Sequence, residues 1–148
     1  MSLHGSENIR MSDMELVDCI LKFTQEMNEL EMKYYSLKQK DSDDTSAIFA
    51  NFEAEARKIY QKYLTSKERT YYFGISSPPK FSAVNSMSLN TVERTKNRAT
   101  VTIYTREGLV DFQFNLFCQK DQWLINSFKQ RYHSDNRELT YKWQYGSF

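Results

Sequence analysis

Ala99-Thr-Val-Thr-Ile-Tyr-Thr105, Leu109-Val-Asp-Phe-Gln-Phe-Asn-Leu-Phe-Cys118 and Trp123-Leu-Ile-Asn-Ser-Phe-Lys-Gln-Arg-Tyr132 are three strand-like runs separated by two short turns. In the first run Ala99, Val101 and Ile103 alternate with Thr100, Thr102 and Tyr104, the period of a half-buried strand. In the second, Val110, Phe112, Phe114, Leu116 and Cys118 share one face, and Asp111, Gln113 and Asn115 share the other. In the third, Trp123 and Ile125 alternate against Leu124, Asn126 and Phe128. Arg106-Glu107-Gly108 interrupts the pattern once, with Gly108 free to take a positive φ, and residues 119–122 interrupt it again. Turns this short join only antiparallel neighbours, so the stretch reads as a meander. One face of it must be covered, and helices upstream are the available cover.

Those helices are legible in their own period. Residues 1–11 show no periodicity and read as a flexible arm. Ser12-Asp13-Met14-Glu15 has the form of a capping box. From there Met14, Val17, Leu21, Thr24, Met27 or Asn28, Leu30 or Glu31, Tyr34 and Leu37 recur at helical spacing, with Ile20 and Phe23 widening the stripe. The run ends in Lys38-Gln39-Lys40, where cations suit the helix dipole, and Asp41-Ser42-Asp43-Asp44 breaks it. A second stripe (Ile48, Phe49, Phe52, Ala56, Ile59, Tyr60, Tyr63) follows a Thr45 or Ser46 cap, so the two helices should form an antiparallel hairpin. Residues 70–75 read as a short aromatic strand that Pro78-Pro79 ends, and residues 87–92 as another strand before the meander. No repeat or linker divides the chain, so its 148 residues read as one α+β domain.

The net charge is +1, too small for a global field that would draw nucleic acid or a charged surface. It is unevenly spread: residues 1–68 carry a net −4 and residues 69–148 a net +5. Solvated faces are the ordinary account of such a split, with an anion-binding face as the sharper one. Cys19 and Cys118 belong to no CxxC or Cys/His cluster, so reduced thiols are expected and no metal site is. No long apolar run and no basic-then-apolar leader is present. The expectation is a cytoplasmic protein with no membrane association and no cofactor.

Catalytic constellations are sparse. His133 stands beside Asp135 but lacks a nucleophile. Asp111 interrupts an apolar strand. Facing the interior it could serve as a general base, but Gln113 and Asn115 share its face, so alternation makes it a solvated side chain. The glycines stand singly and cradle no phosphate. Tyr104, Arg106, Arg131 and Tyr132 could stack on single-stranded nucleic acid, but the basic excess that normally accompanies such a platform is missing.

Three further segments carry a family likeness: residues 62–69 (Lys-Tyr-Leu-Thr-Ser-Lys-Glu-Arg), residues 74–81 (Gly-Ile-Ser-Ser-Pro-Pro-Lys-Phe) and residues 122–132 (Gln-Trp-Leu-Ile-Asn-Ser-Phe-Lys-Gln-Arg-Tyr), with Tyr141-Lys142-Trp143 as an ending. In this order and spacing, after a helical hairpin, they resemble the NTF2-like cone and, more closely, the NTF2-fold immunity proteins of the RhsIA type. The likeness covers residues 14–143, nearly the whole chain. It implies an immunity protein that binds a cognate polymorphic toxin delivered by neighbouring cells and neutralises it by occlusion, without turnover. Such binding asks for aromatic anchors in a polar rim. Tyr72, Tyr104, Tyr132, Trp143 and Tyr145 are the candidate anchors, and Arg106 and Arg131 the candidate cations. Cones of this type also pair through the sheet face, so a homodimer there is a further expectation. Two alternatives remain. One is a small-molecule isomerase or dehydratase of the same fold using a pocket carboxylate such as Asp111; the other is an adaptor domain.

Overall fold

The computed structural model describes residues 2–40, 45–106 and 109–148, with residues 2–12 as helical backbone only. Met1, the polar break at 41–44 and the turn residues Glu107 and Gly108 lie outside the described residues. Helix α1 spans Ser2–Lys40 and helix α2 Thr45–Tyr63. Because α1 begins at Ser2, the Ser12–Glu15 box lies inside the helix and does not start it. The two helices run antiparallel. Lys33 and Tyr34 meet Glu55 near one end, and Lys62 and Tyr63 meet Glu26 near the other, with lysine–carboxylate separations of 3.5 and 3.3 Å. The buried stripe of α1 runs through Leu16, Ile20, Phe23, Met27, Leu30 and Tyr34, while Met14 and Leu37 point to solvent. Phe52, Ala56, Tyr60 and Tyr63 face it from α2.

Residues 70–75 do not form the expected strand. Tyr71 and Phe73 instead pack on Tyr60, with ring centroids 5.0 and 5.9 Å away. The Tyr72 N–H donates to the Phe148 carbonyl, which ties the segment down without a ladder. Aromatic residues raise strand propensity, but here burial against α2 outweighs it. A 3-10 turn at Ser82–Ser86 leads into the sheet.

The sheet comprises β1 Met87–Arg94, β2 Arg98–Thr105, β3 Val110–Gln119, β4 Gln122–Tyr132 and β5 Gln144–Tyr145. All neighbours are antiparallel in the order β1-β2-β3-β4-β5, a curved, unclosed meander as the three central runs require. Register departs from simple alternation in one place that matters. Asn115 faces Ser127 but Leu116 faces Ile125, so Asn126 is an extra residue in β4. A bulge of this kind resets the pleat. It therefore puts Ile125 and Phe128 together on the core face, where strict alternation had separated them.

The concave side of the sheet is filled. Phe23, Phe81, Phe112, Phe114, Phe128 and Phe148 are all buried, with Phe128 centred 5.2 Å from Phe81 and 4.9 Å from Phe148. Each such side chain removed from water contributes on the order of 2–3 kcal/mol before entropy is counted. Beside this cluster lies a buried carboxylate. Glu31 of α1 accepts from the Ser76 hydroxyl at 3.1 Å and from the Lys80 N–H at 3.3 Å, which fixes the loop carrying both prolines. Burial pushes the Glu31 carboxyl up from its ordinary value, although these donors oppose the shift. The Lys80 ammonium is enclosed beside the Phe81 and Phe128 rings, 5.6 Å from each centroid, and burial lowers its pKa to about 8.

Candidate partner-binding face

With Ala99, Val101, Ile103, Phe112 and Phe114 committed to the core, alternation sends Arg98, Thr100, Thr102 and Tyr104 of β2 to the outer face. Asp111, Gln113 and Asn115 of β3 join them, as do Lys129 and Arg131 of β4. The short strand β5 then lays Trp143 and Tyr145 alongside β4, since Tyr145 is opposite Lys129. The result is a ladder of cations on rings. Arg131 lies 4.5 Å from the centroid of Trp143 and 5.9 Å from that of Tyr104, and Lys129 lies 4.8 Å from that of Tyr145. Cations so placed gain quadrupole attraction and lose little freedom on contact with a partner.

Asp111 holds one end of this ladder. Alternation assigned it correctly to the outer face, but it is not solvated: its exposure is 0 %. Arg137 reaches back from the loop after β4 and donates to both carboxylate oxygens, at 2.7 and 2.8 Å. Arg131 adds Nε at 3.3 Å and the Thr105 N–H adds another donor at 3.1 Å. Burial alone would raise the Asp111 carboxyl. The Arg137 fork, the Thr105 amide, and the Arg137 and His133 charges outweigh burial and hold it below the usual range. Asp111 thus faces away from the filled interior and is a poor proton acceptor, which removes it as the pocket base of an isomerase or dehydratase. His133 is buried beside the same carboxylate, with Nε2 3.6 Å from Oδ1, and does not pair with Asp135 as a catalytic dyad would.

Four of the seven residues singled out from the sequence come together here: Tyr104, Arg131, Trp143 and Tyr145. Tyr72 is 70 % exposed on the loop after α2, where its ring lies 5.9 Å from the Lys80 ammonium and touches none of these four. Tyr132 follows Arg131 and so turns to the opposite side, at the exposed rim. Arg106 lies beside the 3-10 turn, its N–H donating to the Ser86 carbonyl. Sequence reading missed Arg137 and Lys129. No periodic signal marks Arg137, because a loop with positive φ at that residue delivers it. Lys129 was accessible from the i, i+2 relation to Arg131.

A helical hairpin packed on a curved antiparallel meander, its interior filled and its outer face bearing rings and cations, is an α+β domain of the NTF2-like class. Residues 15–143 match the family described as NTF2 fold immunity protein, and the chain belongs to that family. No curated protein and no solved structure matches it. Among the described residues, no helix is long and apolar enough to cross a membrane.

Proposed function

We propose that this immunity protein acts in the cytoplasm by binding a cognate polymorphic toxin and occluding it, with no chemical turnover, and that the outer sheet face is the binding surface. The observation that carries the reading is Arg131, which is held between Tyr104 and Trp143 and anchored on buried Asp111. Arginine and aromatic side chains fixed before contact are what dominate binding energy in protein interfaces. The phenylalanine-filled interior supports the same reading, since a small-molecule enzyme of this fold needs room there. A homodimer would use the same face, so the protein alone belongs in the same experiment as a sizing control.

The test is co-expression with the polypeptide encoded immediately upstream, scoring survival and co-purification. Rescue of a toxic domain with a stable complex is expected. Absence of both toxicity and complex removes the reading.

A further inference from the structure

Two cations of the outer face have no carboxylate within ion-pair distance among the described residues. The charge of Asp111 is shared by Arg131 and Arg137. Arg98, by contrast, rests on the Phe117 ring at 5.2 Å, and Lys129 rests on Tyr145. A ring fixes a cation in place but leaves its charge to act outward. Beside Lys129 and Tyr145 is a hollow of about 220 Å³. Asn115, Asn126 and Ser127 line it. The Asn126 side-chain oxygen already accepts from the Thr65 hydroxyl, so its amide N–H groups are left to donate. Ammonium, amide and hydroxyl donors around one small hollow match a carboxylate.

We propose that the toxin surface received by this face is acidic, and that one of its Asp or Glu side chains seats in the hollow beside Lys129. This rests on the immunity reading and adds the partner's chemistry to it. The charge division of the chain agrees, because the half that builds the sheet carries the net +5. A protein partner fits better than nucleic acid, for which a net charge of +1 and one confined hollow are too little. It follows that the toxin is not blocked by plugging a basic nucleic-acid cleft, since like charges would oppose that contact.

The experiment measures association of the full-length protein with the upstream-encoded toxin domain from about 50 to about 500 mM NaCl. Wild type is compared with Lys129→Glu, Arg98→Glu, Lys129→Arg and, on the far side of the molecule, Lys58→Glu. The association rate should fall roughly tenfold across this range, and each of the first two reversals should slow it roughly tenfold at low salt. Lys58→Glu should leave it near wild type, Lys129→Arg, which keeps the charge, should slow it far less than Lys129→Glu, and circular dichroism melting shows which variants are folded. If a complex forms but its rate ignores salt and both reversals, or rises with them, the acidic-surface inference fails and the immunity reading stands. If wild type forms no complex, both fail. If Lys129→Glu abolishes binding of a single-stranded oligonucleotide and leaves toxin binding unchanged, the face belongs to nucleic acid and the inference is overturned.

Discussion

Asp111 sits without exposed surface against two guanidinium groups, and the fold accommodates its charge only while they remain. Asp111→Asn leaves Arg131 and Arg137 uncompensated and should cost about 2–4 kcal/mol in urea unfolding. Since its folded pKa is depressed, its stabilisation is complete above the ordinary carboxylate value of 3.8 and is lost as pH falls through the lower folded value. Lys80 works in another window. Its pKa falls from 10.5 to about 8, so the folded state disfavours the proton, and stability should rise as pH increases from about 8 to 10.5. Lys80→Met should raise the Tm at pH 7 and flatten that rise. Glu31 has the reverse sign: its carboxyl is pushed above 4.5, so its contribution is largest below that pH and declines above it. On the binding side, Trp143→Ala removes the ring under Arg131. It should weaken the toxin complex roughly tenfold to a hundredfold in calorimetry, while Tyr72→Ala stays within about twofold.

At the scale of elements, the two-residue strand β5 has an influence beyond its length, because it carries Tyr145 and fixes Trp143. Its approach to β4 depends on Gly146. A Cβ there would fall 2.2 Å from the Phe128 ring, and Phe128 is packed on four other phenylalanines and cannot yield. Gly146→Ala should therefore cost about 1–3 kcal/mol in urea unfolding and also weaken toxin binding, as β5 is displaced. The bulge at Asn126 has a comparable role. With that extra residue, Ile125 and Phe128 both reach the core, and Lys129 and Arg131 stay on the outer face with Asp111 and Gln113. The helix hairpin, by contrast, is secured by ordinary means: apolar stripes and two exposed lysine–glutamate pairs worth little by themselves.

Across the whole molecule, the charge division and the filled interior are consistent with the proposed outer-face binding. The helices cover the concave side, and the outer sheet face carries cations held on rings with Arg131 anchored on buried Asp111, whereas the helix side has its own cation–ring pairs, such as Arg57 on Phe73. Hydrogen–deuterium exchange on toxin binding should therefore show new protection in β2, β3, β4 and residues 133–145, with α2 unchanged. Protection confined to α2 would place the interface elsewhere.

The meander, the helix pair and the identity of the core strands were readable from residue order alone, because periods of 2.0 and 3.6 follow directly from backbone geometry. Tyr104, Arg131, Trp143 and Tyr145 were picked out by chemical type, and the fold brings them together on one sheet face. The failures share a cause. Residues 70–75 have strand-like composition, yet Tyr60 offers their rings a better burial than a sheet edge. Ile125 and Phe128 share a face because of one inserted residue that alternation cannot register. Alternation also makes Asp111 solvated; it is buried because Arg137 returns from a distant loop to cover it. Local periodicity reports which way a side chain points, whereas burial and charge pairing depend on which remote segment arrives to meet it.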